Sequence, residues 1–333
     1  MVNQSVVHAA RSAVLVTALA ALASCGGGGG GGGGPGGGGG APVPPVPTAF
    51  LALNSANAQD VAAGATLTGL GASSAGNLFQ AALRMQRPLS QTHVLTRFIR
   101  QQIGRLTQDL QSRPAAAIGA AVITAPCMVS GSVSVDQGAT SATETFSACS
   151  DTAGSSVDGT VAIDNISLDP GVSFSGLAGL NLTFRQAGFA DVNIIGSNVN
   201  VVETVNVAVD TVTLSGQEIF TTTVTVTERL GNFTLVASID PSGETDDITL
   251  NYASTKIGGS VNVSTVTPCV TDLTRTFPRT GVLTLAGAAG SRVQVTINGD
   301  ETLATPQLRI DLDADSNGTF ETKLDKNWAD LSV

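Results

Sequence analysis

The residues whose type and spacing best suit chemistry lie near the C-terminus. In Asp311-Leu-Asp313-Ala-Asp315-Ser-Asn317-Gly318-Thr-Phe320-Glu321, carboxylate or amide oxygens recur at alternate positions up to a glycine. Calcium is a hard cation that takes roughly 6–8 oxygen ligands, and a run of this kind supplies several. Asp311, Asp313, Asp315, Asn317 and Glu321 are therefore candidate calcium ligands. The competing reading is a polar hairpin turn held by side-chain-to-backbone hydrogen bonds and an Asn-Gly reversal. Strands, not helices, flank the segment in either case, so calcium bound here would act as a structural staple and not as a sensor.

From Asp313 onward the run resembles the first half of an EF-hand or dockerin loop. Asp313, Asp315 and Asn317 stand at its first, third and fifth positions, Gly318 at the sixth and Phe320 at the eighth. The resemblance implies calcium ligation by those side chains, and it ends at the twelfth position. A bidentate Glu belongs there, whereas this chain has Leu324, with Glu321 or Asp325 as the available substitutes.

Other reactive constellations are poorly supplied. Past the N-terminal segment, His93 is the sole histidine, and no Gly-x-Ser-x-Gly turn accompanies it, so no Ser-His-Asp arrangement is expected. One histidine and scattered cysteines do not give a zinc spacing. Acids are plentiful, but no spacing singles out a pair for glycoside hydrolysis. The expectation is a protein that is not an enzyme.

Leu22-Ala23-Ser24-Cys25 closes an apolar run, Ser12 to Leu22, that follows a short segment whose basic residue is Arg11. The order resembles a signal peptide ending in the lipobox of bacterial lipoproteins, in which the cysteine is lipidated and heads the mature chain. At ~1.5 Å per residue the apolar run covers only about half of a ~30 Å hydrocarbon core, too little for a spanning helix. The resemblance makes Cys25 the lipidation site and attachment to a membrane through its acyl chains durable. Gly26, in place of Asp, implies the outer membrane, facing either the periplasm or the cell surface. Residues 26–40 are glycine except for Pro35, and residues 41–47 are proline-rich. Polyglycine has nothing to bury and the most backbone entropy to lose, so it is a spacer, with a root-mean-square reach of about 25 Å.

Removing Cys25 leaves Cys127, Cys149 and Cys269. An oxidising compartment predicts one disulfide and one remaining thiol. Two alternating segments, Val129 to Val135 and Thr143 to Cys149, flank Asp136-Gln137-Gly138. A three-residue loop at 137–139 would set residue 136 opposite 140 and hence 127 opposite 149. That favours a Cys127–Cys149 bridge with Cys269 buried and free, and leaves Cys149–Cys269 as the competing pairing.

Composition bounds the rest. Roughly 285 residues follow the tether, enough for one large domain or two small ones. Net charge is −10 with a pI near 4.5, which argues against nucleic-acid partners. Charge is also segregated: Arg84, Arg87, Arg97, Arg100, Arg105 and Arg113 face Asp109 alone, whereas residues 114–333 hold 24 acids and 9 bases. Such asymmetry suggests self-complementarity or a basic surface facing anionic headgroups.

Two periodicities organise the chain. Residues 48–75 are small and polar and are expected to be irregular. Residues 77–86 read as a short helix ended by Pro88. Residues 90–111 read as a longer one, with Leu95, Phe98, Ile99, Ile103, Leu106 and Leu110 on one face. After Pro114 the period becomes two. Val133/Val135, Val161/Ile163, Val199/Val201, Val205/Val207/Val209, Val224/Val226, Val261/Val263, Leu283/Leu285, Val293/Val295/Ile297 and Leu308/Ile310/Leu312 alternate with polar neighbours. Asp158-Gly159, Ser215-Gly216, Gly231-Asn232, Pro241-Ser242-Gly243, Asn298-Gly299 and Asn317-Gly318 read as turns. Strands without intervening helices predict an antiparallel meander of about 14 strands.

The mature chain also resembles a family of uncharacterised proteobacterial outer-membrane lipoproteins. The likeness rests on the lipobox and polyglycine tether, Cys127 with Gly131, Phe146-Ser-Ala-Cys149, Asp158-Gly159, Gly281-Val-Leu-Thr-Leu-Ala-Gly287, and the acidic Asn-Gly loop leading to Trp328-Ala-Asp-Leu331. It implies β architecture and carries no activity. The expected organisation is a signal peptide at 1–24, lipidated cysteine and tether at 25–47, a helical segment at 48–114 and an antiparallel β domain at 115–333. The fold class is mainly β: a large curled meander, as an incomplete barrel or two-layer sheet, with an N-terminal helical pair packed on it. The expected function is a binding or envelope-structural role with an unknown protein partner; the alternative is a half-barrel carrier of lipid or another apolar ligand.

Overall fold

The computed structural model describes residues 45–73, 122–127, 129–138, 140–150, 154–169, 173–187, 190–205, 209–272, 277–299 and 306–331. Cys25 with its targeting and glycine segments, the expected helices at 77–86 and 90–111, His93 and the six arginines lie outside the described residues.

Alternation becomes strand throughout the second half of the chain. The strands are β1 (Ile123–Pro126), β2 (Ser130–Gln137), β3 (Ala142–Ser150), β4 (Ser155–Asp169), β5 (Ser173–Gln186), β6 (Val192–Val205) and β7 (Asp210–Thr222). They continue as β8 (Thr227–Asp240), β9 (Gly243–Ser254), β10 (Gly259–Asp272), β11 (Thr280–Ala286), β12 (Arg292–Asn298), β13 (Leu308–Asp313) and β14 (Thr322–Lys326). All 14 form one antiparallel sheet in sequence order. It is one continuous sheet that is not closed into a barrel: each strand pairs with its chain neighbours, and β1 and β14 are left as edges.

Register brings the apolar positions into cross-strand rows on one face. Val161, Leu180, Gly196, Ile219, Leu230, Tyr252 and Val261 pair in turn from β4 to β10. Leu283, Val295, Ile310 and Leu324 do the same from β11 to β14. These side chains supply much of the core, whereas the opposite face carries polar rungs: Thr183 Oγ1 to Asn193 Oδ1 at 2.9 Å, Thr211 to Ser238 at 3.1 Å, and Asn251 to Asn262 at 3.1 Å. A sheet with one apolar and one polar face follows from period two once the register is set.

Several expected turns are interruptions inside long strands. Asp158-Gly159 lies within β4, Ser215-Gly216 within β7 and Gly231-Asn232 within β8. Gly159 has φ +114°, and a Cβ there would stand 2.0 Å from the Asn181 carbonyl oxygen, so the glycine serves close strand contact and not reversal. Asn232, with φ 44°, sits where the β8–β9 register shifts. Asn165 and Ala148 mark like shifts in β4 and β3. These are β-bulges, which spend one residue in a left-handed conformation to kink a strand. Conversely, Val224/Val226, expected as a strand, form the connection between β7 and β8.

Residues 48–75 depart furthest from expectation. Ala58–Ser73 is an α-helix, α1, and not an irregular segment. Val61, Ala62, Ala65, Thr66, Leu67, Thr68 and Leu70 are all buried, so apolar and small residues occur all round the helix and no 3.6-residue stripe marks it in sequence. It packs on β8, β9 and β11–β13 and on the C-terminal Trp328–Leu331 turn. Before it, residues 49–53 form an extended strap along β10: the Leu51 N–H donates to Ser260 O and the Ser260 N–H to Ala49 O, both at 2.9 Å. No helix among the described residues is long and apolar enough to cross a membrane.

Candidate metal centre

The last hairpin joins β13 to β14 through residues 314–321, and it gathers Asp313, Asp315 and Glu321. One carboxylate oxygen from each lies within 4.8 Å of the others. Opposed ligands on a calcium ion stand up to ~4.8 Å apart when each bond is ~2.4 Å, so one such ion spans the three. A metal ion can be held here by these three side chains.

Each is positioned by a separate device. Asp313 is the last residue of β13 and is buried, at 1% exposure. Its Oδ2 accepts the Arg292 Nε–H at 3.0 Å and the Gly318 N–H at 3.1 Å, while its Oδ1 is buried with no hydrogen-bond partner. An orphaned buried carboxylate oxygen is costly unless a cation or donor meets it. Arg292, directly opposite Asp313 in the β12–β13 register, is itself held over the Phe320 ring at 5.2 Å. Asp315 is exposed and turns the loop by accepting the Asn317 N–H at 3.1 Å. Glu321 is exposed and reaches back across the loop, where its Oε2 accepts the Ala314 N–H at 3.0 Å. Ser316 and Gly318, with φ of 64° and 84°, let the chain fold over the carboxylates. Three formal negative charges against one guanidinium leave the excess that a divalent cation cancels.

The five expected ligands therefore divide. Asp313, Asp315 and Glu321 converge, so of the two substitutes for Leu324 it is Glu321 that lies with the other carboxylates. Asp311 is not among them: it lies earlier in β13 and accepts the Arg309 Nε–H at 2.8 Å. Asn317 spends its Oδ1 on the Thr319 N–H at 2.7 Å and points its amide nitrogen at Asp315, 3.0 Å away. Asp325, the other substitute, pairs across to Arg309 within β14. Arg292 was not singled out in sequence, because its link to Asp313 exists only through the β12–β13 register.

The cysteines are arranged as expected, by a different route. Cys127 and Cys149 form the disulfide, with Cα atoms 5.5 Å apart, and Cys269 is free and buried. The register behind that expectation is wrong: Asp136 faces Thr143 and Gln137 faces Ala142, so residue 136 does not face 140. Cys127 instead reaches Cys149 from the β1–β2 connection, where its N–H donates to the Gly131 carbonyl at 3.2 Å.

Two further polar features lie under the apolar face. Tyr252 donates its hydroxyl hydrogen to Glu228 at 2.6 Å, and burial, then the Glu228 charge, pushes its pKa well above the ordinary phenol value. Cys269 faces Asp246 across β9–β10, and burial, then the Asp246 and Asp247 charges, raises its thiol pKa to about 12. A thiol held neutral in this way is not a nucleophile at neutral pH. Sequence reasoning passed over Glu244 and Asp246, although their alternation with Ile248, Leu250 and Tyr252 places them on the buried face.

No protein-family model, curated protein or solved structure matches this chain.

Proposed function

We propose that this chain is a lipid-anchored outer-membrane lipoprotein, attached through Cys25, whose β domain serves a non-enzymatic binding or envelope-structural role. The observation that carries this reading is the strap. The segment that follows the glycine tether is fastened to the sheet at residues 49–53 by backbone hydrogen bonds to Ser260 and Ala288. A large open sheet whose first described segment is fastened to it by backbone hydrogen bonds suits a protein that presents a surface at a distance from its membrane. The all-oxygen donors of the acidic loop suit a hard divalent cation, and the spacing of Asp313, Asp315 and Asn317 before Gly318, like that of an EF-hand loop, favours calcium among these.

Burial of the inner face weighs against the apolar-carrier alternative. Val161, Ile163, Ile194, Val199 and Val201 have no measurable exposure, so they act as core and not as the lining of an open cavity. The membrane reading is tested by fractionating cells that express the parent chain and Cys25→Ala. The parent is expected in the outer-membrane fraction, with acyl chains on Cys25 by mass spectrometry, and the variant is expected to be released from it. An unmodified Cys25, or a variant that stays equally membrane-bound, ends the proposal. Native mass spectrometry of the purified protein checks the carrier alternative, for which a co-purifying apolar ligand is the signature.

A further inference from the structure

We infer that the acidic loop is a calcium latch on the tether: a calcium ion held by Asp313, Asp315 and Glu321 locks the β11–β12 turn, and that turn grips the strap. The inference rests on the calcium reading of the loop. An independent mark of a missing ligand is the Asp313 Oδ1, which belongs to a 1% exposed residue in the cluster and lacks any hydrogen-bond partner.

The path from loop to strap is short and made of contacts. Residues 287–291, the β11–β12 turn, lie between the two. On the loop side, a Cβ added at Gly290 would stand 2.4 Å from Ser316 Oγ, so the turn backbone packs directly against the loop. Arg292, the residue after the turn, donates to Asp313 Oδ2 at 3.0 Å. On the strap side, the Ala288 N–H donates to Leu51 O at 2.8 Å, and Ser291 Oγ accepts the Leu53 N–H at 3.0 Å. Ser291 also closes its own turn by donating to Ala288 O at 2.7 Å. Without the cation, three carboxylates repel one another against a single guanidinium and the loop loosens from Gly290. With it, the loop, the turn and the strap form one hydrogen-bonded stack. Since residues 49–53 are the segment that leads from the tether into α1, calcium sets how firmly that segment is held on the sheet.

The test measures calcium binding and strap protection separately on the full-length mature protein. Titration calorimetry with CaCl2 reports the site; hydrogen exchange at the Leu51, Leu53 and Ala288 amides, in excess CaCl2 or in chelator, reports the latch. Exchange at these amides is expected to slow by ~tenfold when free calcium is about ten times its dissociation constant. The double variant Asp315→Asn, Glu321→Gln, both on exposed residues, should abolish the titration and the slowing together. Ser291→Ala should speed Leu53 exchange and leave the titration intact. Binding with unchanged strap exchange overturns the latch while the calcium reading stands; no binding heat and no slowing overturn both.

Discussion

The two edges of the sheet are secured by opposite chemistry. At the β1 edge, Cys127 and Cys149 tie the β1–β2 connection to the end of β3 covalently. At the β14 edge, the last hairpin is closed by carboxylates around Asp313, Arg292 and the loop N–H groups. An open sheet has to manage both edges, since unpaired strands fray and recruit other chains. One fastening depends on redox state and is indifferent to ions. The other is indifferent to redox state and is held by charge and hydrogen bonds. The difference teaches that the edge nearer the strap is held by side-chain charge and the far one by a covalent bond.

Breaking the covalent edge should have the largest effect. A double Cys127→Ser, Cys149→Ser variant is expected to lose about 3 kcal/mol by the chain-entropy argument for a closed loop of this size, read from urea unfolding. The loss should be the same in calcium and in chelator. Native alkylation at pH 8 should label no thiol in the parent, because Cys269 is buried with its pKa raised to about 12. Labelling of folded parent would show that the thiol is accessible.

The ionic edge comes next. Asp313→Ala should cost about 2 kcal/mol, below the usual range for breaking a buried pair because Arg292 is half-exposed and can return to water. It should also remove every response to calcium. For the parent, calcium at about ten times its dissociation constant should add about 1.4 kcal/mol and raise the melting midpoint. A midpoint unmoved by calcium or chelator would reduce the loop to a hairpin turn.

The smallest effect, and the sharpest control, is at the Pro241-Ser242-Gly243 turn between β8 and β9. Asp240 there accepts the Ser242 N–H at 2.7 Å, the Ser242 hydroxyl at 2.5 Å and the Gly243 N–H at 3.0 Å, so its Oδ1 is fully used within its own turn. The Ser242 hydroxyl, then its N–H, hold the Asp240 carboxyl below the ordinary value of 3.8. A carboxyl lowered in the folded state stabilises above its unfolded value and loses that contribution as pH falls through the folded one. Asp240→Asn should therefore weaken the protein slightly at neutral pH, with the difference vanishing in acid below 3.8 and with no calcium response. A calcium response that survived Asp313→Ala but was lost in Asp240→Asn would move the site to the other turn.

Much of this was legible in sequence, for physical reasons that vary by residue. Leu308, Ile310 and Leu312 alternate with Arg309 and Asp311, and period two is enough to make β13 and its faces. Asp313, Asp315 and Glu321 are close along one loop, so their convergence needed only local geometry. The Cys127–Cys149 partnership was found through a register that did not form, which shows how weakly turn signals specify loop length. Gly231-Asn232 failed as a turn for a related reason: the same pair that reverses a chain also bulges a long strand.

By itself, then, the sequence determined the antiparallel meander, its apolar face and the identity of the loop carboxylates, because these follow from neighbours along the chain. Tertiary structure alone decided that 58–73 is helical, that Arg292 meets Asp313 and that the strap lies between β10 and the β11–β12 turn. Those outcomes depend on groups far apart in sequence: Leu53 reaches Ser291 across 238 positions. Their energies come from burial and register across the sheet, and local propensity carries no record of either.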